Sequence, residues 1–120
     1  MAELVEIRRS DGNVVTRRAK VADTFGTRLR GMMGRREFGP VDGLALAPVR
    51  SVHKFFMRMA IDVLFVDEEG RVLETRRALP PRRLAAGGKA VRQTLELPGG
   101  TIDRLDLQPG DRLIFGPIAS

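Results

Sequence analysis

A mostly β fold with one medium and one short helix, α+β by class and barrel- or sandwich-like in form, is what the sequence predicts. Three observations carry that prediction. After residue 43 the apolar residues come in short alternating runs rather than every 3.6 residues. Those runs are separated by Pro, Gly and acidic clusters, which are turn chemistry. A helical stripe is strong only at Phe25, Leu29, Met32 and Met33, spaced i, i+4, i+7 and i+8.

The elements follow in order. Residues 4–8 and 14–18 read as two strands joined by Ser10-Asp11-Gly12-Asn13, with Asp-Gly as the hairpin signal. The medium helix is predicted over 24–33, opened by Asp23 or Thr24 and stopped near Gly34. Strands are predicted at 44–47, 52–57, 61–66 and 71–75. The breaks between them are Pro48, a polar corner at 57–60 and Asp67-Glu68-Glu69-Gly70. Residues 84–89, with Gly87-Gly88, read as a loop. A strand resumes at 91–97 and is broken by Pro98-Gly99-Gly100. Thr101 is the expected cap of the short helix, which carries Ile102 and Leu105. Gln108-Pro109-Gly110-Asp111 then turns into a last strand at 112–115. At 120 residues the chain suits one domain over 1–120, with an N-terminal hairpin at 4–18.

Composition removes several function classes. With no cysteine there is no disulfide, thiolate nucleophile or Cys-based metal centre, and with one histidine there is no His-rich site. No metal or other cofactor is expected. No run approaches the roughly 18 apolar residues of a membrane helix. Residues 1–10 lack the apolar core of an export signal. The expected compartment is the cytoplasm.

The run from Ser51 to Asp67, Ser-Val-His-Lys-Phe-Phe-Met-Arg-Met-Ala-Ile-Asp-Val-Leu-Phe-Val-Asp, resembles the signature of domain-of-unknown-function family 192. Two flanking segments agree with it. Arg30-Gly31-Met32-Met33-Gly34-Arg35 is similar to the family's Gly-Leu-Met-x-Arg helix. Leu95-Glu96-Leu97-Pro98-Gly99-Gly100-Thr101, followed by Gly110-Asp111, is similar to its Leu-Glu-Leu-x-x-Gly-Thr and Gly-Asp segments. The likeness spans about 24–115. It implies a compact, mostly β domain of a bacterial and archaeal family, and it supplies no activity.

Three functional readings remain. The first is a noncatalytic module binding a small molecule or anion in a cleft near His53, Met57 and Asp62. The second is nonspecific nucleic-acid or polyanion binding. It rests on Arg76, Arg77, Arg82, Arg83, Lys89 and Arg92, a stretch without a single Asp or Glu. That stretch has no aromatic residue on which a base could stack. The third is a small hydrolase using His53 and Asp62 as an acid–base pair. It lacks a Gly-x-Ser-x-Gly elbow. A hairpin joining 52–57 to 61–66 through a three-residue loop would set His53 and Asp62 on opposite faces. Asp62 alternates with Leu64 and Val66, so it is expected to be shielded from water. It then needs backbone N–H donors or an arginine such as Arg58. His53 is expected as a wall residue, Glu96 as a solvent-facing or ion-paired residue, and Asp111 as a turn residue.

Overall fold

The N-terminal hairpin forms where the turn chemistry puts it. Strand β1 (Glu3–Arg9) runs antiparallel to β2 (Val14–Ala22). The loop is a tight turn closed by Gly12 N–H to the Arg9 carbonyl, followed by Gly12 at φ 95°. Only the glycine takes positive φ; Asp11 instead accepts the Asn13 N–H with its carboxylate. A computed structural model describes residues 3–22, 43–46, 51–53, 60–79, 84–86 and 88–118. The predicted helix at 24–33, with Leu29 and its methionines, lies outside them.

The remaining elements are β3 (Gly43–Leu46), β4 (Ser51–His53), β5 (Ile61–Val66), β6 (Val72–Leu79), β7 (Leu84–Ala86), β8 (Gln93–Pro98), α1 (Thr101–Leu105) and β9 (Leu113–Gly116). Seven strands form one sheet in the order β6-β5-β8-β3-β2-β1-β9. Its pairs are antiparallel except β2–β3, which are parallel. The sheet curls until its edges meet. Val72 N–H donates to the Asp111 carbonyl, Leu113 N–H to Gly70 and Gly110 N–H to Val72, around a bridge between Arg71 and Arg112. The closed form is a barrel, and closure removes most of the unpaired edge that an open sheet exposes.

Several strand limits differ from the pattern, for identifiable reasons. β2 runs on to Ala22 because its second half gains β3 as a partner, Ala19 to Gly43 through Ala22 to Leu46. β6 runs on to Leu79 because a bulge lets it stay paired with β5. Residues 84–86, expected as part of a loop, are strand β7. Its partner is β4, from Ser51–Ala86 to His53–Leu84, in a separate two-stranded ribbon. β4 therefore does not form the expected hairpin with β5.

Inside the barrel lie Val5, Ile7, Val15, Ala19, Ala45, Leu64, Val66, Val72, Leu95, Leu97 and Leu113, together with Ile102 and Leu107 from α1 and its exit. The opposite face of β5 and β8 carries Ile61, Val63, Phe65, Thr94 and Glu96, all fully buried as well. Burial on both faces explains the near-continuous apolar run of β5. The short helix begins differently from expectation. Gly100, at φ 93°, is its N-cap and provides no side-chain acceptor, while Thr101 sits inside the helix and donates its hydroxyl to the Pro98 carbonyl.

Candidate functional site

Asp62 is the most constrained polar residue of the signature run. Across from it β6 bulges: Ile61 pairs with Leu79 and Val63 with Arg76, so Arg77 and Ala78 together oppose one residue. Ala78 adopts φ 48°, a left-handed conformation that costs an L-residue on the order of 1 kcal/mol. The bulge leaves the Ala78 N–H without a ladder partner, and Asp62 Oδ1 accepts it at 2.8 Å. The helix start leaves N–H groups unpaired too, and Asp62 Oδ2 accepts that of Ile102 at 2.8 Å. One buried carboxylate thus serves as the cap that Gly100 lacks and as the clasp of the bulge. This is the backbone coordination that burial beside Leu64 and Val66 demands. Arg77 reinforces the joint from outside, its Nε donating to Asp103 of α1 at 2.6 Å. That pair is solvent-exposed and contributes little by itself.

At its other end α1 is held by Arg9, which nothing in the sequence pattern singled out. Its guanidinium donates to the Leu105 carbonyl at 2.6 Å and pairs with Asp11 at 3.0 Å and Asp111 at 3.6 Å. A cation at a helix C-terminus satisfies an orphan carbonyl and opposes the helix dipole. The Asp11 carboxyl is held below its usual range by the Asn13 N–H first and the Arg9 guanidinium second. Asp111 also accepts the Gln108 N–H at 2.9 Å, a turn contact of the expected kind.

The remaining candidates divide. His53 is the last residue of β4 and pairs with Leu84 of β7. β4 is no sheet neighbour of β5, so the loop-parity argument about His53 and Asp62 does not apply, and both Asp62 oxygens already hold backbone donors. Met57, Arg82 and Arg83 lie outside the described residues. Arg76 is half-buried, lies 5.7 Å from the centroid of the Phe65 ring and pairs with Glu74 at 3.3 Å. Arg92 is exposed and donates to the carbonyls of Lys89 and Val91. It borders a shallow groove lined by Asp67, Glu68, Glu69 and Ala90. Lys89 is exposed.

Glu96, expected as a solvent-facing or ion-paired residue, has no exposure at all, which overturns the first of those alternatives. It alternates away from Leu95 and Leu97 as the strand period requires. The face it joins, with Val63 as its β5 partner, is covered rather than open. Only tertiary packing decides that. Among the described residues no helix is long and apolar enough to cross a membrane.

Comparison with known proteins gives a consistent picture. An uncharacterised protein of family UPF0127 from Thermococcus sibiricus is 36% identical over 115 residues, which cover 89% of this chain and 71% of that protein. A UPF0127 protein from Pyrococcus furiosus is 31% identical, covering 85% of this chain and 90% of its own. A crystal structure of a transcription-regulator candidate from Sinorhizobium meliloti 1021 superposes with a TM-score of 0.80 at 25% identity, covering 96% of this chain and 94% of that one. A protein of unknown function from Novosphingobium aromaticivorans superposes with a TM-score of 0.77 at 23% identity, covering 94% and 84%, and shows the shared fold. The DUF192 family model, described as "Uncharacterized ACR", matches residues 6–115, and the chain belongs to that family.

Proposed function

We propose that this domain is a noncatalytic binding module for an anionic small molecule, held where the signature run and the basic 76–92 segment adjoin. The supporting observation is that the two stretches are stitched together twice. Asp62 clasps the Arg77-Ala78 bulge, and His53 pairs with Leu84. In the sequence Lys54 follows His53 directly and Arg82-Arg83 precede Leu84 directly. A guanidinium pair takes phosphate or carboxylate bidentately, which suits a ligand of that class. Catalysis gains no comparable support, since the carboxylate that a His53 base would use is occupied by backbone donors.

Isothermal titration of the full chain with inorganic pyrophosphate tests the reading. R82E/R83E should abolish binding. R17E/R104E, at two exposed arginines, makes the same charge change and should leave affinity within twofold. Equal effects of the two reversals would reduce the segment to a solvated loop. A second reading, nucleic-acid binding, draws on the name given to the Sinorhizobium protein and on the formal charge of +6. It would replace the first if duplex DNA bound more tightly than pyrophosphate. Its log affinity would then have to fall with log salt at about −0.9 per phosphate contacted.

A further inference from the structure

The bridge that closes the barrel sets two like charges face to face. Arg71 and Arg112 are bridge partners, and the hydrogen bonds around them run from Leu113 N–H to the Gly70 carbonyl and from Val72 N–H to the Asp111 carbonyl. Those bonds flank the pair without joining it, the non-hydrogen-bonded arrangement of an antiparallel ladder. In that arrangement Cα atoms are about 4.5 Å apart and the two side chains leave the same face. Both arginines are exposed. Like charges directly opposite each other destabilise a sheet, so an uncompensated pair here works against closure.

Two of the nearby carboxylates, Asp111 and Asp11, are engaged elsewhere, and Asp67 holds backbone donors. Glu68 and Glu69 are exposed and form no salt bridge with either arginine. Asp67 Oδ1 accepts the N–H groups of Glu69 and Arg71, both at 2.9 Å. Asp111 is taken by Arg9 and the Gln108 N–H, and Asp11 by Arg9 and Asn13. Among the described residues neither Arg71 nor Arg112 forms a salt bridge. The backbone beneath them is fixed. Gly70 stands at φ 86°, and a Cβ there would lie 2.4 Å from the Leu113 carbonyl oxygen, so the two backbone segments are in direct contact. Two residues beyond Arg112, on the same outward side, Ile114 is a large apolar side chain left 54% exposed. Two arginines opposite each other on a rigid two-strand base can turn several N–H donors toward one tetrahedral oxyanion.

We propose that Arg71 and Arg112 form a clip for a phosphate group, separate from the 76–92 segment and sharing no residue with it. The bound oxyanion replaces mutual repulsion by two charge-assisted contacts, so closure of the barrel and ligand binding reinforce each other.

The test is an amide-resolved NMR titration of the full chain with inorganic phosphate at constant ionic strength, chloride making up the balance. Shifts should concentrate at residues 70–72 and 111–114. R71Q and R112Q should each weaken binding at least tenfold. In phosphate-free buffer both should melt at or above the temperature of the unaltered protein, because repulsion has been removed. R71K/R112K keeps the charge and loses the planar fork, and should bind with intermediate affinity. R104Q, an equal loss of charge elsewhere, should bind as the unaltered protein does. Shifts confined to 76–92 would overturn the clip, as would affinities of R71Q and R112Q within twofold of the unaltered protein.

Discussion

Asp62→Ala removes the acceptor of two backbone N–H groups at once, and the structure allows its cost to be worked out. The carboxylate is 1% exposed, and it holds Ala78 N–H and Ile102 N–H at 2.8 Å each. A buried donor left unsatisfied costs about 1–3 kcal/mol, and bonds to a charged acceptor lie at the upper part of that range. Two of them give about 3–5 kcal/mol. For a chain of 120 residues each kcal/mol is worth about 4 °C in melting temperature, so the loss is about 12–20 °C. Asp62→Asn keeps the shape but sets an NH2 against one of the two donors, and should cost about half as much or more. Urea unfolding followed by circular dichroism measures both. Amide hydrogen exchange at Ala78 and Ile102 should accelerate ahead of the barrel strands, because bulge and helix lose their shared anchor first. A loss below about 1 kcal/mol for Asp62→Ala would refute the reasoning, since it would mean that water or a neighbouring group satisfies both donors without the carboxylate.

Three further perturbations address the closure and the helix. Gly70→Ala places a Cβ 2.4 Å from the Leu113 carbonyl at a backbone φ of 86°. It should destabilise by at least about 2 kcal/mol in chemical denaturation, with the strain of positive φ adding to the clash. Arg9→Met keeps the aliphatic stem, removes the donor to the Leu105 carbonyl, and should cost about 1–2 kcal/mol by the same assay. The Asp11 carboxyl sits below the ordinary aspartate value of 3.8 when folded, so the unfolded chain takes up its proton first as pH falls. Its contribution is present above that value and is lost as pH falls through the lower folded pKa. The stability difference between the unaltered protein and Asp11→Ala should therefore be flat near neutrality and close only below about pH 4, as acid titration of the unfolding midpoint will show.

How much of this was legible beforehand depends on the range over which each feature is decided. The Asp11-Gly12 turn, the Asp67–Gly70 turn and the alternation of β8 are local, and local chemistry announced them. The β4–β7 ribbon was not announced. β4 overlaps a strand that the pattern does predict, but the three residues of β7 carry too little pattern to register, and Ser51–Ala86 pairing is a contact across thirty-odd residues of chain. Glu96 illustrates the same limit from the side of burial. Alternation correctly sets it on the face opposite Leu95 and Leu97. Whether that face meets water or protein depends on what packs over it, and no period of two encodes that. The role of Arg9 was missed because the partners that tie it to α1 and its exit, Leu105 and Asp111, are nearly the whole chain away.

Asp62 shows why a buried carboxylate could be recognised from sequence while its purpose could not. Its alternation with Leu64 and Val66 requires burial, and burial requires donors; both steps are physical necessities once β5 is a strand. The identity of the donors follows from two irregularities that the pattern hides. One is a bulge that leaves the Ala78 N–H out of the ladder, and the other is a helix whose cap position is a glycine. Each irregularity alone would leave an orphan N–H in the interior. Because the barrel brings them to the same carboxylate, a single side chain joins β5, β6 and α1, and Arg77–Asp103 and Arg9–Leu105 then hold the helix between β6 and β1. Asp62→Ala combined with Arg9→Met should consequently lose less than the sum of the two single losses if α1 docks as one unit, because either change alone already releases part of what the other anchor holds. Strict additivity in a double-mutant cycle would show instead that the two ends of the helix are anchored independently.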